Sequence, residues 1–297
     1  MPKSITVLVA GATGRQGGAV ARLLLDRGHH VRALTRRPSC RAAASLHVLG
    51  ADVYEGDLDS LSSVKHAADG ADAFFLMATP LEGMQAEVRQ AHNAAKAAKD
   101  AGVEHIVYSS VAGADQGTGI PHFESKREVE TYIRGMGPSY TIVAPVFFME
   151  NLLGPMFGQG LRAGKLWMPL RPTRSLQMVA VADIAGLVRL VVERPTEFQG
   201  KRIQIASDSL TGPEMARTLT KATGMEIDYG EAALGAVRSQ SEDLARMWEW
   251  LDRVGYDCDI DSLRQVYPDV GWHDFGRWAR EQDWSVIGAA RSEQPPA

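Results

Sequence analysis

Gly11, Gly14 and Gly17 recur at a spacing of three directly behind a short apolar, β-branched run at residues 5–9. That arrangement suits one task, the gripping of a pyrophosphate. A G-x-x-G-x-x-G turn lets the chain reverse tightly after a strand, brings bare backbone against phosphate oxygens, and lets the next helix pack closely on the sheet. A helix over residues 17–27, with Val20, Leu23 and Leu24 on one stripe, then aims its unpaired N–H groups and positive dipole end at the anion. Thr13, Arg15 and Gln16 lie in the same turn and join the glycines as candidate cofactor contacts. A glycine-rich turn before any surface helix looks similar; the strand before it and a second strand at residues 30–34 favour nucleotide binding.

The second strand runs into Thr35, Arg36, Arg37 and Pro38, with no acid between His30 and Pro38. An Asp or Glu near this point would bind the adenosine ribose of NAD, whereas a cationic side chain accommodates the 2′-phosphate of NADP. Arg36 and Arg37 therefore favour NADP(H). The competing reading is a solvated basic loop.

These groups need a sheet to position them. A third strand is expected at residues 52–54, then a helix over 61–68 capped by Asp59 or Asp57, the cap falling more naturally to Asp59, while Asp57 and Leu58 alternatively border the adenine pocket. A fourth strand at 73–77 ends at Met77, Ala78 and Thr79, in the carboxyl-end crevice where open α/β sheets bind ligands. An Ala-rich helix over 82–101 leads to a strand at 104–108, then Ser109 and Ser110. A glycine-rich loop at 113–119, a helix over 122–135 and a strand at 140–143 follow. The alternation predicts an α/β fold, a Rossmann-type doubly wound parallel sheet with right-handed crossovers.

Past residue 150 the alternation breaks down. The expected division is an NADP-binding domain over 1–150, a smaller α+β lobe over 151–297, and a return segment near 176–192. That return comprises a strand at 177–181 and a helix capped by Asp183. Residues 201–206 alternate like a strand, Thr211 and Glu214 form a capping box, and Ser241 opens a helix with Leu244, Met247, Trp248 and Leu251 on one stripe. That stripe reads as core. The tail at 292–297 is expected to be loose.

A hydrophobic share of 45% with 23% charged residues is that of a folded globule, and a net charge of −4 gives no general attraction to nucleic acid or anionic membrane. Cys40 and Cys258 form neither a disulfide framework nor a metal pattern, so free thiols in a cytoplasmic protein are expected. No apolar run approaches the ~20 residues of a membrane span, and the chain enters its first strand too early for a signal peptide. No His-Glu-x-x-His, clustered Cys or Ca²⁺ loop points to a metal, and no Gly-x-Ser-x-Gly elbow points to a hydrolase.

Gly11-Ala-Thr-Gly-Arg-Gln-Gly-Gly18, Gly56-Asp-Leu-Asp59, Tyr108-Ser-Ser110, Pro121-His-Phe-Glu-Ser-Lys126, Ala144-Pro-Val-Phe-Phe-Met-Glu-Asn151 and Val181-Ala-Asp-Ile184 together resemble the NmrA-like family of atypical short-chain dehydrogenases/reductases. The resemblance extends to the segment at 255–260. It implies NADP(H) binding and one of two roles, a reductase of small substrates or a regulator that senses the cofactor through a protein partner. Catalytic members of the wider superfamily use Tyr-x-x-x-Lys, in which the Lys lowers the Tyr pKa and holds the nicotinamide ribose. Here His122 stands at the Tyr position and Lys126 at the Lys position, on one helix face.

The resemblance thus makes Lys126 a cofactor ligand and catalytic candidate. His122 is either a proton donor, as an imidazole can be near neutral pH, or a lining residue of the cleft. Ser109 and Ser110 are candidates to orient substrate, although Val111 replaces a further hydroxyl, and His92 departs from a Lys that relatives often carry. Pro145, Phe147, Phe148 and Asn151 match positions beside the nicotinamide, with Phe147 or Phe148 alternatively core. Trp167, Met168 and the helix of Trp248 are expected to wall a substrate pocket. The function expected is NADPH-dependent reduction of a small carbonyl, quinone or imine bound between the lobes; the alternative is a non-catalytic redox sensor with a protein partner.

Overall fold

The computed structural model describes residues 4–288. The expected loose tail at 292–297 lies outside them. In chain order the elements begin β1 (Thr6–Val9), α1 (Arg15–Asp26), β2 (His30–Thr35), α2 (Arg41–Val48), β3 (Asp52–Glu55), α3 (Leu61–Ala68), β4 (Ala73–Leu76), α4 (Met84–Asp100), β5 (His105–Ser109), α5 (Pro121–Gly135) and β6 (Ser139–Pro145). Then come β7 (Phe147–Phe148), α6 (Pro155–Arg162), β8 (Lys165–Met168), β9 (Ser175–Val179), α7 (Val181–Glu193), α8 (Pro195–Phe198) and β10 (Arg202–Ile205). The chain closes with β11 (Asp208–Thr211), α9 (Gly212–Thr223), β12 (Asp228–Glu231), α10 (Leu234–Arg238), α11 (Glu242–Arg253), α12 (Ile260–Val266) and α13 (Phe275–Glu281).

Two compact units result. One holds the residues up to Pro145 together with Val181–Ile205; the other holds Val146–Ala180 and the residues from Ala206 onward. In the first unit seven strands run β10-β6-β5-β4-β1-β2-β3, every pair parallel. The order reverses between β1 and β4, which is the topological switch point of a doubly wound sheet.

Both sheet faces are covered, and this explains the uninterrupted apolar strands. Leu8, Phe74, Leu76, Ile106 and Tyr108 pack with α3, α4 and α5. Their neighbours Val7, Val9, Phe75 and Val107, equally buried, point to the opposite face because side chains alternate along a strand. α1 and α7 pack on each other, presenting Val20, Ala21, Leu24, Ile184, Leu187 and Val188, all removed from solvent.

The return to this sheet differs from the sequence expectation. Residues 175–179 form β9, which pairs with β7 and β11 in a separate three-stranded sheet. β10 instead extends the parallel sheet beside β6. α7 starts at Val181, so Asp183 stands fully buried inside its first turn and not ahead of it. In α3 the capping oxygen belongs to Ser60, which accepts from Ser63 N–H, while Asp59 accepts from Arg89 and Gln90. α2 was not legible, being a short Ala-rich segment without a capping side chain.

In the second unit the capping box holds, with the Glu214 carboxylate accepting from the Thr211 N–H and hydroxyl at 2.8 and 2.7 Å. Ser241 caps α11, and Met247, Trp248 and Leu251 are core, with Trp248 against Phe147. Met168 is buried while Trp167 is exposed, so the two do not share one environment.

A histidine at the base of β5 gives the first unit a pH dependence. The Thr141 hydroxyl donates to Phe198 O, so it accepts from His105 Nε2, and Nδ1 accepts from Ser139 Oγ at 2.8 Å. Burial of this neutral ring pushes its pKa down to about 4 from 6.5. The unfolded chain therefore binds the proton first: no stability is lost above pH 6.5, and the loss grows as pH falls toward 4, reaching about 3 kcal/mol. Urea titrations across that window should show this slope in the native sequence and a shallower one in His105→Gln.

Candidate functional site

The glycine turn is built as its spacing implies. Gly11 takes a φ of 62°, a left-handed conformation that an L side chain resists, and a Cβ there would lie 2.7 Å from Met77 Sδ. Gly17 is fixed by contact: its Cβ would fall 2.4 Å from Gly11 O and 2.6 Å from Ala10 O, both backbone atoms that cannot swing aside. Gly17→Ala should therefore cost about 1–3 kcal/mol by overpacking, read as a lowered Tm, and should weaken coenzyme binding because the turn must open.

Gly14 is the N-cap of α1, without a side-chain cap and with no acid in the first turn. The first N–H groups of a helix have no intrahelical partners, and here the exposed Gly14 backbone lies in front of them. This end of α1 suits an anion, and the glycines fit a pyrophosphate. Arg15 is exposed at the helix start and Thr13 Oγ1 lies 3.4 Å from Thr35 Oγ1. Gln16 is otherwise engaged. Its buried amide donates to Ser109 Oγ at 2.8 Å and accepts from it at 3.1 Å, tying α1 to the end of β5.

Parallel pairing puts the carboxyl ends of β1 to β6 on one edge of the sheet, and most candidate residues occupy that edge. Arg36 and Arg37 are exposed just after β2. Arg36 Nη1 donates to Glu82 Oε1 at 2.7 Å, and this bond holds the guanidinium above its ordinary pKa. Asp57 and Leu58, both half-buried, follow β3; Asp57 Oδ1 accepts from Asp59 N–H. Met77, Ala78 and Thr79 follow β4, with Met77 against Gly11. Pro145 ends β6 and its carbonyl accepts from Ala112 N–H.

Lys126 is the most constrained of the candidates. It is buried on α5, and its ammonium donates to Ala78 O at 2.7 Å and lies 2.7 Å from Glu87 Oε1. Its Nζ also sits 5.6 Å from the ring centroid of Tyr108, whose phenol pKa is pushed up by burial and then by Glu87 and Glu130. Glu87 was missed in the sequence, where one Glu in an Ala-rich helix looks like a solvated charge. His122 is half-buried one helical turn before Lys126, with its ring 4.8 Å from Phe123 in an edge-on contact.

Other candidates have partners of their own. Ser110 does not present a hydroxyl to a substrate: it donates to the buried Glu130 at 2.5 Å, a carboxylate that also receives Arg134 and Arg202. Ser109 is held by Gln16. Phe147 is core of the second unit, packed on Phe157 and Trp248, while Phe148 and Asn151 are half-buried in the same unit. His92 stacks on Tyr132 at 3.9 Å, with burial lowering its pKa. That pair lines a 1120 Å³ groove on α4 and α5, along with Met84, Val88 and Pro121; none of the glycines borders it. Among the described residues no group of three or more His, Cys, Asp or Glu is arranged to hold a metal. No helix there is long and apolar enough to cross a membrane.

Strand order, parallel pairing and the glycine turn into α1 define a Rossmann-type doubly wound fold. Within that class the NmrA-like family model matches residues 3–279, and the chain belongs to this family. The NAD(P)H azoreductase of Xenophilus azovorans is 31% identical over 224 residues, covering 75% of this chain and 76% of its own length. An NmrA-like family domain-containing oxidoreductase of Malbranchea aurantiaca is 31% identical over 301 residues, covering 92% of this chain and 84% of its own.

Among solved structures, the negative transcriptional regulator NmrA in complex with NADP matches with a TM-score of 0.77 at 23% identity, covering 94% of this chain and 95% of that one. An NADPH-dependent quinone oxidoreductase of Escherichia coli matches with a TM-score of 0.74 at 23% identity, covering 93% and 98%. At such identities these two structures carry the fold alone.

Proposed function

We propose that the chain is an NADP(H)-dependent reductase of a small carbonyl, quinone or imine compound. The observation that carries this reading is Lys126, a buried ammonium anchored to the carboxyl end of β4, beside a glycine turn whose helix end is open to an anion. Met77 links the two, lying against Gly11 and next to Ala78. In this reading the turn at Gly11, Gly14 and Gly17 grips the pyrophosphate, Arg36 and Arg37 bind the 2′-phosphate, and Lys126 holds the ribose hydroxyls on the nicotinamide side. The bound coenzyme supplies the hydride. The protein orients the acceptor and delivers a proton, from His122 or from a water beside it. The family relative named as an NAD(P)H azoreductase supports reductase chemistry.

A second reading, a cofactor-binding regulator acting through a protein partner, is favoured by His122 standing where catalytic short-chain dehydrogenases carry a Tyr. A regulator needs occupancy to change its surface and needs no proton donor. The two part in a single assay. Purified protein is mixed with NADPH and a panel of quinones, aldehydes and imines, and the reduced nicotinamide absorbance is followed. Steady oxidation with at least one acceptor supports the reductase; tight NADPH binding with no oxidation across the panel supports the regulator.

A further inference from the structure

Glu87 has no solvent exposure, although it sits on a helix that elsewhere turns its charged side chains outward. A buried carboxylate is retained only with strong partners, and Glu87 has two. Its Oε1 lies 2.7 Å from Lys126 Nζ, and its Oε2 accepts from Ser125 Oγ at 2.5 Å. Ser125 and Lys126 are adjacent on α5, so one carboxylate on α4 gathers both side chains. The same ammonium donates to Ala78 O at the end of β4.

An ammonium has three N–H bonds. Ala78 O takes one of them, and the Glu87 carboxylate lies against the ammonium as an ion pair, so Nζ is held between two fixed neighbours and the four-carbon stem is ordered before any ligand arrives. We propose that Glu87 is a positioning residue for the nicotinamide half of the coenzyme: as the ion-pair partner of Lys126 it fixes where Nζ stands before the ribose hydroxyls arrive. This rests on the reading of Lys126 given under Proposed function. Preorganisation of this kind raises affinity because the ordering cost is not met at binding. Its charge also matters, since a lone cation at this depth would be uncompensated.

The test uses the full chain and two probes, NADPH and 2′,5′-ADP, the second carrying the adenosine half without the nicotinamide ribose. Glu87→Gln keeps the shape and removes the charge. It should weaken NADPH about tenfold, the size of a lost charge-assisted hydrogen bond, and leave 2′,5′-ADP unchanged. Ser125→Ala, a milder change in case Glu87→Gln folds poorly, should give the same pattern at smaller amplitude. In a Lys126→Met background Glu87→Gln should cause no further loss of NADPH affinity, because Glu87 acts through that ammonium.

Equal weakening of both probes would assign Glu87 a purely structural role and overturn the proposal. So would unchanged NADPH affinity in both single variants, or a loss that persists in the Lys126→Met background. Wild-type protein that binds neither probe would instead remove the cofactor reading underneath it.

Discussion

Lys126→Met should lower kcat/KM for NADPH oxidation about 10²- to 10⁴-fold, the range in which a positioned catalytic group contributes. The reason is geometric. Lys126 Nζ is held between Ala78 O and Glu87 at 2.7 Å from each, and no other Lys lies on the buried face of α5. Methionine fills a similar volume, so the helix keeps its packing on the sheet. What it leaves behind is Glu87, a buried carboxylate without its cation.

Removing one partner of a buried pair costs about 3–5 kcal/mol, so the same variant should also denature earlier. Adding Glu87→Gln removes the orphaned charge and should restore much of that stability without restoring turnover. Steady-state kinetics and denaturant titration of the two proteins separate chemistry from folding. Retained turnover in the single variant would move the catalytic role elsewhere.

Substituting both Arg36 and Arg37 by Ala should weaken NADPH about 10²- to 10⁴-fold while NADH changes little, since each charge-assisted contact to a phosphate is worth about 1.5–3 kcal/mol. Both side chains are exposed at the end of β2, the point at which a 2′-phosphate is expected. Glu82 modulates the effect, because its carboxylate already holds Arg36 at 2.7 Å and must yield that cation to a phosphate. An exposed ion pair of this sort contributes little to stability, so the double substitution should leave the Tm nearly unchanged. Fluorescence titration with the two coenzymes reads the difference. Equal losses for NADPH and NADH would dissociate these arginines from the 2′-phosphate.

The first unit was legible because its signals are local. The β-branched run before Gly11, the three-residue glycine spacing and the apolar stripe of α1 each follow from neighbours in sequence, and the contacts at Gly17 explain why no larger residue stands there. Lys126 was singled out by the family resemblance, as the Lys of a Tyr-x-x-x-Lys pattern, and the structure buries it against Ala78 O and Glu87. What was not legible depends on tertiary packing. Glu87 becomes a buried partner only when α4 lies against α5, and nothing in the local sequence distinguishes it from Glu82, which precedes α4 and is exposed. Likewise Ser110 reads as a free hydroxyl until β5 and α5 bring Glu130 to it. The pairing of 175–179 outside the parallel sheet was hidden for the same reason: an alternating run states that it is a strand but not which edge it joins.

Isothermal titration calorimetry of the folded chain with NADPH interrogates the phosphate grip itself. Saturable, one-to-one binding that is weakened in Gly17→Ala is the outcome expected from a turn built around bare backbone. Well-folded protein that takes up neither NADPH nor NADH would contradict it.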